Sequence, residues 1–360
     1  MVRKLIVGIF IFVMGLVACN QSADKVVEEV ATEAVETLVD LGLGPLKLSE
    51  YNFFKGNMAD LVPADDVVPY DLATPLFSDY SHKARFVRLP KGVKAKFDGK
   101  EVMDFPVGTV LIKNFYYPHD FRDASKGRRI METRLLVHKD SGWVALPYIW
   151  NDEQTEAILE VTGGRKNLSW IHSDGSKKEM EYVVPNMNQC KGCHARGEVM
   201  TPIGPTARQL NWDYQYVDKK ENQLQHWQSL GILDGYTGQA PKAVVWNNPA
   251  TGSLDERARM YLDINCAHCH RSDGPANTSG LLLSIHESNQ GKLGFHKSPV
   301  AAGRGSGGLL VDIDPGHPEK SILLYRMNSS DPGVMMPELG RQLIHTEGVD
   351  LVREWINSLK

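Results

Sequence analysis

The sequence predicts an α+β multidomain fold: an antiparallel β-rich N-terminal domain followed by mainly α-helical modules. Three observations carry this expectation. From Leu48 to Pro185, short runs rich in Val, Ile, Tyr, Phe and Trp alternate with turn residues. After Cys190 that texture gives way to stretches of helical period. The chain length of 360 residues suits two or three domains, on a prior of about 100 to 200 residues each.

The first segment, residues 1–18, opens with Arg3 and Lys4 and continues as an uncharged apolar run from Leu5 to Val17. It is shorter than the roughly 20 apolar residues of a spanning helix and reads as an export signal. Its end, Leu16-Val17-Ala18-Cys19, resembles a bacterial lipoprotein signal. That resemblance implies that Cys19 is lipidated and anchors the chain to a membrane, with the rest outside the cytoplasm. Asn20, in place of Asp, points to the outer membrane by that family's sorting rule. A plain secretory signal with an incidental cysteine is the alternative. Residues 19–47 are read as anchor and helical spacer: Val27, Val30, Ala34, Leu38 and Leu41 recur at steps of three and four, and Gly42 is a stop.

Residues 48–185 form the expected β-rich domain. Lys139-Asp140-Ser141-Gly142 separates "RLLVH" from "WVALPYIW", and Asp174-Gly175 separates "LSWIHS" from "KKEMEYVV"; both read as hairpins. Residues 186–250 and 251–360 follow as two helical segments. Helices are expected over 219–233, 254–266 and 347–359, the last with Val349, Val352, Ile356 and Leu359 on one face, packed against the helix that ends at Cys266. The formal net charge of -4, spread over 40 basic and 44 acidic residues, offers no nucleic-acid footprint, and the body reads as soluble and globular.

Of five cysteines, Cys19 belongs to the signal, and the other four form two copies of one pattern: Cys190-Lys-Gly-Cys193-His194 and Cys266-Ala-His-Cys269-His270. Cys-x-x-Cys-His is the attachment signature of c-type haem. Two thiols add to two vinyl groups on one porphyrin edge, and the next histidine is directed to the iron. A four-cysteine zinc site wants its second pair about 15 to 20 residues on, far closer than Cys266 lies to Cys193. A thioredoxin-like pair needs a βαβ context and leaves both histidines unexplained. The expected cofactors are therefore two covalently attached haem c groups, with iron bound by His194 and His270.

Residues 252–360 resemble class I cytochrome c: a helix running into the second motif, a Gly- and Pro-containing loop, a methionine loop and a terminal helix bearing Trp355. The resemblance implies cytochrome c-type haem modules, Met336 of "GVMMPELG" as sixth ligand, with Met335 the alternative, and a Pro275 carbonyl that accepts from the His270 ring. Methionine opposite histidine raises the reduction potential and suits electron transfer. His268 reads as a tolerated linker residue. For the first iron, His226 is a candidate sixth ligand, set against its being a core or surface histidine; Met200, Met187 and His172 are further candidates, and an open position is the remaining option.

"FPVGTVLIKNF", residues 105–115, bears a likeness to strands of the cytochrome P460 group, with Lys113 at that pattern's lysine. Over residues 48–359 the chain resembles an uncharacterised family of exported bacterial dihaem c-type cytochromes. The residues that carry this include "PYDLATPLFSDYSHKARFVRLP", "NQCKGCH", "YLDINCAHCHRSDGPANTSGL" and "VMMPELGR". That family brings no settled substrate; with the signal and the expected His270/Met336 pair, the expectation is an extracytoplasmic, membrane-anchored electron carrier in the bacterial periplasm or cell envelope, serving a periplasmic redox partner protein. Two alternatives stand beside it: a haem enzyme of peroxidase or oxidase type with an open first iron, and a surface ligand-binding β module with an attached cytochrome. A carrier is favoured over a catalyst.

Overall fold

The computed structural model describes residues 42–360 apart from residue 301. The signal segment, Cys19 and the spacer helix lie outside the described residues.

The N-terminal half is built on a six-stranded sheet in the order β1-β2-β4-β5-β6-β7. Its strands are β1 (Val68–Tyr70), β2 (His82–Arg88), β4 (Val110–Pro118), β5 (Arg128–Lys139), β6 (Gly142–Trp150) and β7 (Ala157–Leu159), and every neighbouring pair is antiparallel. The short β3 (Ala95–Lys96) lies apart from it. A separate antiparallel hairpin is formed by β8 (Gly164–Ile171) and β9 (Lys177–Val184).

Both expected turns are present. Lys139 pairs with Gly142 across Asp140 and Ser141, and Gly142 takes a φ of 102° that a side chain resists. In the second hairpin Ile171 pairs with Lys177, Asp174 accepts from the Ser176 amide, and Gly175 has a φ of 83°.

Because successive strand residues point to opposite faces, the register assigns each sheet face its contents. Phe86, Ile112, Leu135 and Leu146 lie opposite one another across β2, β4, β5 and β6. They pack beneath Leu48, Phe53, Leu61 and Val67 of the preceding segment. The other face carries two separate apolar clusters. One joins Val87 and Leu111 to Ala207, Leu210, Leu224 and Trp227; the other joins Phe115, Tyr117 and Met131 to Leu168, Trp170 and Tyr182 of the β8–β9 hairpin.

Among the described residues six α-helices follow: α1 (Met187–His194), α2 (Ala207–Leu210), α3 (Gln223–Ser229), α4 (Leu254–Cys266), α5 (Ile322–Met327) and α6 (Thr346–Ser358). The helix expected over 219–233 is shorter, because Lys220–Asn222 pairs as a strand and the Asn222 side chain accepts from the amides of Leu224 and Gln225, capping α3 there. Helix α4 starts at a capping box of Ser253 and Glu256. Val349, Val352 and Ile356 of α6 pack with Ala258, Tyr261 and Leu262 of α4, with Leu359 at the margin, as the period implies. Trp355 is buried and its indole N–H donates to Asp255 at 2.8 Å.

Ile112 is central to the largest N-terminal core and 0% exposed. Truncation at such a position costs about 2 to 5 kcal/mol in lost burial and residual cavity. Ile112→Ala is therefore expected to lower the urea unfolding free energy of the full chain by that amount; a change below about 1 kcal/mol would mean that this face of the sheet is not the packed core.

Candidate functional site

Helix α1 presents the first motif. Asn186 and Gln189 form a capping box, each side chain bonded to the other's amide. Helical period then places Cys190, Cys193 and His194 at i, i+3 and i+4, on one face. In the second motif Cys266 ends α4, and the amides of Cys269 and His270 both donate to the Cys266 carbonyl, at 3.1 and 2.9 Å. This extra turn gathers the same three residue types.

The two histidines are prepared alike. Nδ1 of His194 lies 2.9 Å from the Thr201 carbonyl, which only accepts, so Nδ1 carries the proton. Nδ1 of His270 lies 3.3 Å from Ser279 Oγ, whose own proton goes to the Ala276 carbonyl. Burial pushes both rings down to about 4, keeping them neutral. Each Nε2 is left with a lone pair, the state of a metal-ligating histidine oriented through its other nitrogen. Pro275 lines the same cavity as His270, but the ring's hydrogen-bond partner is Ser279, so the expected Pro275 carbonyl contact is replaced.

A cavity of about 380 Å³ opens beside the second motif, lined by Cys266, Cys269, His270 and Met336 among largely apolar neighbours such as Leu281, Leu283 and Leu323. Met335 is not on that wall; Met336 is, and its carbonyl is gripped by Arg341 at 2.8 Å. Two thiols, a neutral imidazole and a thioether around apolar space fit a haem c attached through Cys266 and Cys269.

The first motif faces a different setting. Cys190, Cys193 and His194 line a cavity of about 150 Å³ with Arg85, Lys113, Phe115 and Arg134 of the sheet. Burial, then Arg85, Lys83 and Arg134, holds the Lys113 ammonium well below the ordinary lysine range. His194 also lines a smaller cavity of about 50 Å³ with Arg208, Asp263 and His268.

Of the candidate sixth ligands for His194, the structure brings none to these cavities. His226 stacks on Tyr216 with ring centroids 3.6 Å apart and hydrogen-bonds Glu221, and neither cavity includes it. The reason is the Asn222 cap, which turns α3 so that Leu224 and Trp227 face the core and Leu230 is 49% exposed. Met200 pairs opposite Ala195, Met187 packs against the Ile112 core, and His172 meets Trp170.

His268, read above as a linker, instead occupies the junction of the two motifs. The donor atoms of Cys193, His268 and Cys269 lie within 4.8 Å of one another. His268 lines all three cavities, and its buried Nδ1 has no hydrogen-bond partner among the described residues. Three such donors could also hold a zinc ion, but that leaves Cys190, Cys266, His194 and His270 without a role. A covalently attached group at each motif would use all of these. No sequence signal marks His268, because its place depends on how the second motif packs on the first.

The two halves of the chain also meet close to this site. His345 stacks on Phe77 with centroids 4.1 Å apart and an 8° interplanar angle, and its Nδ1 lies 2.9 Å from the Tyr261 hydroxyl. Asp79 accepts from the amides of Gln342 and Leu343, each at 2.7 Å.

The chain matches no protein-family model, no curated protein and no solved structure.

Burial lowers the His345 pKa to about 4, against about 6.5 when unfolded. Between those values the unfolded chain binds the extra proton, so the neutral ring's contribution is complete above pH 6.5 and is lost as pH falls toward 4. Unfolding free energy measured at pH 7 and pH 4.5 is expected to drop about 2 kcal/mol more in the wild type than in His345→Phe. Equal drops would remove His345 as a contributor to acid sensitivity.

Proposed function

We propose that this chain is an extracytoplasmic dihaem c-type cytochrome that passes electrons to or from a partner protein. Cys190, Cys193 and His194 would hold one haem, and Cys266, Cys269, His270 and Met336 the other. A bound haem supplies a one-electron iron couple. The lipid on Cys19, the cell-envelope location and the redox partner belong to the same reading and rest on the sequence.

The observation that carries it is the arrangement of the donors. Each motif turns two thiols and one neutral, Nδ1-protonated histidine toward a cavity, and the cavity of the second also contains a thioether. The motifs meet at Cys193 and Cys269, so the edges attached there would be neighbours, which suits direct passage of an electron from one site to the other.

Each residue's part follows from its chemistry. Thr201 and Ser279 hold the imidazoles in one tautomer and raise their basicity as ligands. Met336, held by Arg341, would close the second iron against substrates and raise its potential. Leu281, Leu283 and Leu323, which line the cavity of the second motif, would exclude water from the bound group. A second reading, a haem enzyme, is favoured by one observation: among the described residues, no methionine lines the cavities of His194, and the only other imidazoles on their walls are His268 and His286.

Expression with a cytochrome c maturation system is expected to yield two haems per chain that survive denaturation. Cys266→Ala/Cys269→Ala should keep one; no covalent haem would end the reading, and zinc in its place would move it to a structural Cys-His site. In low-temperature electron paramagnetic resonance of the oxidised protein, the second site is expected to give a low-spin signal that Met336→Ala alters and His226→Ala does not, and a low-spin first site would need His268 or His286 as its further ligand. A high-spin signal in the wild type, assigned to the first site by its survival in Cys266→Ala/Cys269→Ala, would favour the enzyme.

A further inference from the structure

On the sheet face turned toward the first motif, Arg85 of β2 lies opposite Lys113 of β4, and Lys113 lies opposite Arg134 of β5. Three cations thus stand in one cross-strand row, a placement that repels directly. All three line the cavity that contains Cys190, Cys193 and His194.

The row is only partly neutralised. Arg134 forms a two-point pair with Glu132, at 2.7 and 2.6 Å, and Glu132 also accepts from the Tyr182 hydroxyl. Arg85 pairs with Asp71 through Nη1 alone. The Arg85 side chain is 4% exposed, and its Nη2 is buried with no hydrogen-bond partner among the described residues. Lys113, in the middle, makes no ion pair among the described residues; its ammonium sits 4.7 Å from the Phe115 ring centroid. Lys83, next along β2 on the same face, donates to the Ser81 carbonyl. A buried guanidinium nitrogen without an acceptor is costly. Beside an unpaired ammonium, it describes the complement of an oxyanion, which accepts several charge-assisted hydrogen bonds at once.

We propose that the Arg85–Lys113–Arg134 row receives a carboxylate or small inorganic oxyanion on the wall of the His194 cavity, with Lys113 Nζ and Arg85 Nη2 as the donors. Two sources supply that chemistry. One is a propionate of the haem held by the first motif, which rests on the proposed function; the other is a free ion entering the cavity, which does not.

The test uses the full-length exported protein, checked first for covalent haem. Formate and nitrite are titrated by calorimetry into wild type, Lys113→Met and Lys113→Arg, and the midpoint potential of the first haem is measured in each. A free-ion site gives saturable one-to-one binding in the wild type, weakened at least tenfold in Lys113→Met and retained in Lys113→Arg. A propionate partner gives no binding of added ions, but a lower first-haem potential in Lys113→Met that Lys113→Arg restores. If Lys113→Met does not fold, Arg85→Gln, which removes both the charge and the fork, is expected to show the same losses. No binding and no change of potential, with Lys113→Met melting higher than the wild type, would overturn the proposal. Absence of covalent haem would overturn the function proposed above, and the calorimetry would then decide this site alone: no binding rejects it.

Discussion

The pairing register of β2, β4 and β5 is the constraint on which the rest of this molecule depends. A slip of one residue would exchange the two faces of the sheet. Phe86, Ile112 and Leu135 would then leave their core, and Arg85, Lys113 and Arg134 would enter it. The cost of burying three cations among Leu48, Phe53 and Val67 far exceeds any loss from imperfect hairpins, so the apolar row specifies the register and the charged row is carried with it. The N-terminal segment covers one face. On the other, the α2–α3 region and the β8–β9 hairpin cover separate areas, and the cavity of the first motif is lined by the sheet between them.

That arrangement brings a short helix with a reactive face against a polar wall. Helix α1 contributes little apolar surface of its own; Cys190 is its one buried residue. Its capping box fixes where it starts, and the chain beyond it returns at Thr201, whose carbonyl accepts a hydrogen bond from His194 Nδ1. The second motif solves the same problem from the other direction. There a well-packed helix, α4, delivers Cys266, and the loop through Ser279 orients His270. Two unlike scaffolds therefore present one donor set, and they converge at Cys193, His268 and Cys269.

The contact between the halves is polar and aromatic. Asp79 ties the loop after β1 to the backbone at Gln342 and Leu343, and Tyr80 reaches Thr346 and Glu347. Arg341, from the same stretch, holds the Met336 carbonyl. The methionine loop is thus positioned by the β-rich half as well as by its own helices, and the two motifs are set relative to each other by contacts that neither half contains alone.

The sequence by itself determined the β-rich first half, both hairpin turns and the α4 and α6 helices, and it marked the two Cys-x-x-Cys-His motifs. Each of these is encoded locally: strand alternation, turn chemistry at Gly142 and Gly175, the Ser253 capping box, and the spacing of two cysteines and a histidine. It overextended α3, because the Asn222 cap competes with a helical period that runs through it. It left His226 open as a ligand and passed over His268, since neither a ring's direction nor its neighbours follow from periodicity. Only the tertiary structure decided that Ser279 partners His270, that Met336 and not Met335 lines the cavity, and that Arg85, Lys113 and Arg134 form one row. Those facts depend on register and on packing between segments far apart in the chain, and the physical reason is that strand pairing and burial are settled by the whole core at once, not by any stretch of residues taken alone.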